Sequence, residues 1–314
     1  MQHEKLIHSL EEVRGANHLS DDAGRLMQAS RAHNTHYAYA SMLKRFDAWL
    51  NGRSIDDVTI ANYLAFLEKS GKAVATARLA LAAIRFRARR NGSSRPDGPI
   101  TASTLEGYGR NNPYLGRGQA QGIEWEQADA MVSLAASQGS LAGLRDAALI
   151  AVMSDCLLRI SEAAAITLSR IRSEKDGTGR LLIAKSKTDP MGRGTILHLR
   201  AWTMRRIAAW TDAANISLGP LFRPVRKGGI VATAALSSGS VRAIIQKWAS
   251  AAGVTGRVSG HSLRVGSAQS LVSAGATLPE LQQAGRWLSP EMPAHYARGQ
   301  LAGKGAVARL RPDS

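Results

Sequence analysis

Residues 260–298 read GHSLRVGSAQSLVSAGATLPELQQAGRWLSPEMPAHYAR, and the rest of the chain is organised around them. The spacing predicts helices. His261 and Arg264 stand three apart at the start of one, near its positive end, and Gly275 suits its C-cap. Thr277-Leu278-Pro279-Glu280 is a T-x-x-E capping box that opens a short helix stopping at Gly285. Ser289 as N-cap and Pro290 at the first helical position open another, with Tyr296 on its second turn. An imidazole, a guanidinium, the Trp287 indole and a phenol are thus gathered in one short span.

Upstream, two β-like segments, Arg180 to Lys185 (RLLIAK) and Gly194 to Leu199 (GTILHL), flank KTDPMGR. They read as a small antiparallel hairpin or sheet with Lys187 where it turns. Helical patterns cover Glu124 to Ala136, Leu144 to Leu158, Ala201 to Ala214 and Ser240 to Ala251. Arg159, in LLRISE, follows the second of these. A buried arginine there needs a carboxylate, a phosphate or several carbonyls to offset its desolvation. Glu162 is available as an ordinary i, i+3 partner and as a possible support for it. PVRKGG sets Arg226 and Lys227 on a loop suited to gripping a nucleic-acid backbone. The lone cysteine, Cys156, sits in the apolar run MSDCLL and reads as a buried small hydrophobe.

The first part of the chain reads as a helical module. From Asn34, Tyr39, Leu43, Phe46 and Leu50 recur at helical steps, ending at Gly52. A second helix fits Thr59 to Lys69, with Thr59 as N-cap and Gly71 as the stop; a third fits Thr76 to Arg90. Arg78, Arg85 and Arg89 lie seven and four apart, on one face of that third helix, which carries no acidic residue. Such arginines would mostly neutralise phosphates, giving affinity more than sequence choice. Residues 91–99 are a turn-rich connector. Residues 109–122, GRNNPYLGRGQAQG, hold five glycines or prolines and almost nothing apolar. The expected organisation is a helical domain over 1–110, a linker over 111–122 and a chemical domain over 123–314. The fold class is mainly α, with a small antiparallel β-sheet in the second domain.

Composition narrows the function. Among 314 residues, Lys plus Arg is 41 against 24 for Asp plus Glu, a net charge of +17. That excess points to a polyanionic partner, nucleic acid ahead of an anionic membrane, for which no basic amphipathic anchor stands out. One cysteine rules out a disulfide within the chain and a zinc site built on thiolates. The opening residues, MQHEKLIHSLEEVRG, show no apolar core of a signal peptide, and no apolar run is long enough to span a bilayer. A cytoplasmic protein is expected.

Phosphodiester transfer develops negative charge on the nonbridging oxygens, so its catalysis depends on positioning and electrostatic stabilisation. Arg159 and Arg264 can clamp those oxygens with forked hydrogen bonds. His261 and the Trp287 indole N–H can complete the cradle. Tyr296 can serve as nucleophile, its phenolate favoured by nearby cations. Lys187 is suited to protonate the leaving 5′ oxygen. With this many cationic donors no metal or other cofactor is required, and no carboxylate cluster stands out to hold one.

Arg in LLRISE, Lys on a β-hairpin, H-x-x-R, a later Trp or His, and Tyr nine residues beyond it: this order resembles the tyrosine recombinases. LFRPVRKGG, GHSLRVGSAQ and PELQQAGRW extend the likeness over most of residues 30–311. Many members carry His where this chain has Trp287. The resemblance implies a C-shaped clamp on double-stranded DNA, with a SAM-like helical domain on one side and the tyrosine recombinase catalytic fold on the other. It further implies a homodimer on the inverted-repeat arms of one site and a homotetramer in the synapse. Strand exchange would proceed through a Holliday junction and 3′-phosphotyrosine intermediates. The terminal segment Leu301 to Arg311 would pack on the neighbouring protomer, anchored by Val307 and Leu310. Two alternatives stay open: a type IB topoisomerase or telomere resolvase relative, and a catalytically idle DNA-binding clamp.

Overall fold

The computed structural model describes residues 20–29, 33–113, 118–184, 194–296, 298–303, 305, 310 and 311. The chain divides into two compact units, 1–118 and 119–314, so the boundary falls inside the glycine-rich stretch 109–122. Both units are mainly helical, and the second carries a three-stranded antiparallel sheet, as the sequence predicts.

The first unit holds α1 (Asp21–Ala29), α2 (His33–Leu50), α3 (Asp57–Lys69), α4 (Val74–Arg90) and α5 (Pro99–Asn111). Its core joins Phe46 and Leu50 of α2, Ile60, Tyr63 and Leu64 of α3, Leu81 and Ile84 of α4, and Tyr108 of α5. The expected start of α3 moves. Asp56, not Thr59, is the N-cap, and its Oδ1 accepts the Thr59 N–H at 2.8 Å. A carboxylate there suits the positive end of the helix better than a hydroxyl does. α4 likewise begins at Val74 rather than Thr76, because Ala73 already has extended N-cap geometry. Asp57 ties α3 to α5 by accepting the N–H groups of Gly98, Ile100 and Thr101 at 2.7, 3.0 and 2.9 Å. Burial pushes its carboxyl up, but the Thr101 hydroxyl and those N–H donors outweigh it and hold the group at about 2.

The second unit runs α6 (Trp125–Ser137), α7 (Leu141–Asp155), α8 (Ile160–Ala164), β1 (Ile171–Ser173), β2 (Gly179–Ile183), β3 (Thr195–Leu199), α9 (Ala201–Ala213), α10 (Ser238–Ala251), α11 (Ser262–Ser273), α12 (Leu278–Gly285), α13 (Glu291–Tyr296) and α14 (Arg298–Ala302). α7 is buried all round from Ala147 to Met153, which is why its sequence is apolar without a polar stripe. It starts earlier than the apolar run suggests, because the Ser140 hydroxyl accepts the Gly143 N–H at 3.1 Å. It also ends earlier, at Asp155. Leu157 then takes a left-handed φ of +47° and turns the chain so that Arg159 caps α8. α11 is almost wholly buried, and a Cβ on Gly266 would overlap the Ile123 backbone, so only glycine allows that approach.

In the sheet, ordered β1-β2-β3, Leu181 faces Leu197 and Leu182 faces Ile196. Residues at alternate positions of β2 are buried and exposed. The sequence pattern does not predict β1, since three residues are too few to show that alternation. The hairpin turn with Lys187 lies outside the described residues. α13 begins at Glu291, and the Pro290 carbonyl accepts the Ala294 N–H at 3.0 Å; Pro293 has no N–H to give to the Ser289 carbonyl. Of the two expected terminal anchors, Val307 lies outside the described residues and Leu310 is 74% exposed. Among the described residues no helix is long and apolar enough to cross a membrane.

Candidate active site

The site is built in the second unit from the α7–α8 turn, α11, and the ends of α12 and α13. At the N-cap of α8, the Arg159 N–H donates to Glu162 Oε2 at 3.0 Å and its Nη1 to Oε1 at 2.7 Å. The i, i+3 pair is therefore present. The Glu162 carboxylate is also buried and takes a second guanidinium, Arg286 Nη2, at 2.7 Å. Burial pushes the Glu162 carboxyl up; Arg286 and then Arg159 outweigh it, and the group stays below its ordinary range.

Arg264, on α11, is 2% exposed. Its Nη1 and Nη2 donate to the carbonyls of Leu157 and Gly285, and its guanidinium carbon lies 4.3 Å from the Trp287 ring centroid. Burial, then the charges of Arg159 and Arg286, push this guanidinium down to about 9, while Glu162 and Tyr296 oppose the shift. The expected phosphate fork is thus engaged with backbone carbonyls and covered by an indole. Desolvating a guanidinium demands such acceptors.

Trp287 leads to Tyr296, with ring centroids 5.9 Å apart and planes inclined at 58°. Both rings lie against Leu157, Ala268, Val272 and Leu281. Tyr296 is half-buried, and its carbonyl accepts the side-chain amides of Gln269 at 3.3 Å and Gln119 at 3.4 Å. His261 is exposed at the N-cap of α11, one turn before Arg264. The structure thus joins Arg159 to Glu162, and Arg264 to Trp287 and Tyr296. His261 stands at the head of α11, and Lys187 is outside the described residues.

Sequence reasoning missed Arg286. It reaches Glu162 and, through Nη1, the Cys156 carbonyl at 3.1 Å, next to the Leu157 carbonyl held by Arg264. Its local sequence suggests only a cation at a helix end, so nothing short of the fold singles it out. Cys156 is buried, as expected, and burial pushes its thiol up. Among the described residues no group of three or more His, Cys, Asp or Glu side chains converges as a metal site.

The other basic candidates divide. Arg78 and Arg89 are exposed on α4. Arg85 is bound through Nε and Nη2 to Asp97 at 2.9 and 2.6 Å, and Asp97, 1% exposed in its side chain, also takes Arg95. Arg85, Arg89 and Arg95 line a cavity of about 330 Å³ with Tyr39 and Ala82. Arg226 and Lys227 are exposed at the tip of a tight turn closed by Val225 and Val231.

Residues 123–301 match the model of the phage integrase family. The chain is 29% identical over 297 residues to the recombinase Cre of Escherichia phage P1, covering 87% of this chain and 86% of that protein. It is 30% identical over 270 residues to an integrase/recombinase XerD homologue of Selenomonas ruminantium, covering 80% of this chain and 77% of that one. In fold it is similar to the XerH site-specific recombinase in a post-cleavage complex with palindromic difH substrate, with a TM-score of 0.67 at 18% identity over 87% of this chain and 79% of that chain. A lambda integrase dimer bound to a COC′ core site gives 0.58 at 18% identity, over 93% and 77%. With the order Arg159, His261, Arg264, Trp287, Tyr296 realised in one unit of that fold, the chain belongs to the phage integrase family, the tyrosine recombinases.

Proposed function

We propose that this enzyme recombines DNA at a specific site, cutting and rejoining strands through Tyr296. The observation that carries the reading is the pairing of Arg159 and Arg286 with the single carboxylate of Glu162, beside a buried Arg264 that lies against Trp287, whose ring meets Tyr296. Three guanidinium groups against one carboxylate leave a net positive site, suited to a phosphodiester and to the charge it gains in the transition state.

In the proposed reaction the Tyr296 Oη attacks phosphorus, and the phenol gives up its proton to solvent. The P–O5′ bond breaks, a 3′-phosphotyrosyl ester forms, and the 5′ oxygen takes a proton from Lys187. Arg159 and the remaining N–H groups of Arg264 hold the nonbridging oxygens, with His261 and the Trp287 indole as further donors. The ester conserves the bond energy, so attack by a 5′ hydroxyl of the partner strand restores the backbone and releases Tyr296. Repeated on the second strand pair, this resolves a Holliday junction.

DNA is gripped by Arg78 and Arg89 of α4 and by the Arg226–Lys227 turn, with Arg85 contributing through the same basic face. Two protomers occupy the inverted arms of one site and four make the synapse, with the segment Leu301 to Arg311 packing on the neighbour. The similar fold of a lambda integrase dimer on its core site supports the first of these assemblies.

The test uses wild type and Tyr296→Phe with sheared DNA from the source genome and its mobile elements, in EDTA. After denaturation in SDS, DNA still attached to protein is sequenced. Capture by wild type alone, at one inverted-repeat site, is expected. Equal recovery from both proteins would remove Tyr296 as nucleophile. Absence of capture, on a nicked trapping duplex as well, would leave a DNA-binding protein without the chemistry.

A further inference from the structure

The Arg159–Glu162 pair accounts for only part of the hydrogen bonding to that carboxylate, and the remainder comes from a residue to which the mechanism above gives no individual task. We propose that Arg286 is a positioning residue of strand cleavage: it pins Glu162 Oε2, so that Oε1 presents one fixed acceptor to the Arg159 guanidinium that meets the phosphate. The inference rests on the recombinase reading.

Three features argue against a mere helix-end cation. Arg286 sits at the C-cap of α12 with φ +55°, in the left-handed region that favours glycine. The preceding position is itself held to glycine, because a Cβ on Gly285 would overlap the Trp287 ring. Next, a cation serving only the negative end of α12 would lie in solvent over that helix's last carbonyls. The Arg286 side chain is 6% exposed and turns away, to Glu162 across 124 residues and to Cys156 across 130. Finally, it is buried among like charges. Burial and Arg159 both push its guanidinium down, Glu162 is the main opposing influence, and its Nε is buried with no partner among the described residues. A strained backbone, a desolvated cation and an orphaned donor all stand against Arg286, and the carboxylate it holds is what they are set against.

The division of labour on Glu162 shows what is gained. Oε2 receives the Arg159 N–H and Arg286 Nη2, while Oε1 receives Arg159 Nη1. Arg159 is then fixed at one guanidinium nitrogen, and Nη2 and Nε have no acceptor among the described residues. Without Arg286 the carboxylate can turn about its own bond. Being buried, it would also take up a proton more readily, and a protonated carboxyl no longer accepts at both oxygens. The charged groups bearing on Glu162 are Arg286 and Arg159, with the buried Arg264 guanidinium also within electrostatic reach. α10 also packs on α8, and its Arg242 and Lys247 are exposed; α7 ends in Asp155, which is engaged with Arg200 and Thr203.

Arg286→Gly suits the left-handed backbone and removes only the side chain; Arg286→Lys keeps a charge. Both are assayed on a nicked duplex built on the site that wild type captures, where the cut strand cannot be rejoined. Arg286→Gly should form the covalent complex about tenfold or more slowly at pH 7, a barrier increase of about 1.4 kcal/mol, with band-shift affinity changed by no more than about twofold. Its rate should fall more steeply than that of wild type as pH is lowered from neutrality, as the released, buried Glu162 takes a proton more readily. Millimolar guanidinium should restore part of the rate to Arg286→Gly and none to wild type, and Arg286→Lys should be intermediate. A wild-type rate in Arg286→Gly at every pH would overturn the proposal. So would a slow variant whose pH profile parallels wild type and which guanidinium does not rescue, since that pattern belongs to a structural cap. Failure of wild type itself to capture any DNA would instead remove the recombinase reading, and this inference with it.

Discussion

Gly285 leaves the space that Trp287 fills: a Cβ built on Gly285 would fall inside the Trp287 ring, which in turn lies over the Arg264 guanidinium. The end of α12 is therefore shaped by an aromatic ring two residues downstream as much as by helix termination. Gly285→Ala should displace Trp287 and destabilise the second unit by about 1–3 kcal/mol, the usual cost of overpacking. Urea melts measure this, and quenching of Trp287 fluorescence should change with it. An unchanged midpoint would mean that the ring has room to move.

Glu162→Gln tests the buried charge network. Removing the carboxylate leaves Arg159 and Arg286 without their shared acceptor, at a cost of about 3–5 kcal/mol at pH 7. The Glu162 carboxyl is lowered in the folded protein, so its stabilisation is complete above the unfolded value of about 4.3 and is lost as pH falls through the folded value. The gap between wild type and variant should accordingly close below about pH 4. A gap independent of pH would show that the variant acts through packing alone.

Arginines on one face of α4 should behave differently. Arg78→Ala and Arg89→Ala should weaken DNA binding, and each should reduce the salt slope by about 0.9 for every phosphate it no longer neutralises. Arg85→Ala should chiefly destabilise the first unit, because Asp97 is 1% exposed and among the described residues keeps Arg95 alone. Salt titrations of binding beside thermal melts separate the two effects. Equal losses of stability at all three positions would contradict this division.

The Tyr296 carbonyl is held by two amides, from Gln119 and Gln269. Each hydrogen bond is worth about 1 kcal/mol, so removing either should slow single-turnover capture up to about fivefold by loosening the helix end that carries Tyr296. The double variant Gln119→Ala, Gln269→Ala should be slower than either alone, with DNA affinity unchanged. Capture at the wild-type rate in the double variant would show that α13 is positioned by its apolar contacts.

Much of the fold follows from short-range sequence rules. The Thr277–Glu280 box forms as written, with Glu280 Oε2 accepting the Thr277 N–H at 2.7 Å and Thr277 Oγ1 the Glu280 N–H at 3.4 Å. The helix periodicities and the β2–β3 alternation are equally local, because they depend on neighbours three, four or two positions away. Even here a local competitor intervenes, as where the Asp56 carboxylate displaces the Thr59 hydroxyl as the cap of α3.

The sequence by itself determined the helical class, the small sheet, the break between the units and the residue types placed about Tyr296. Only the tertiary structure decided which charges meet beyond the local Arg159–Glu162 pair. Arg264 is committed to carbonyls 107 and 21 residues away, Arg85 to Asp97, and Arg286 to Glu162 across 124 residues. A sequence pattern shows which side chains share a helix face. The environment of a charge is set by desolvation and by partners that packing brings within about 3 Å, and these depend on contacts far apart along the chain.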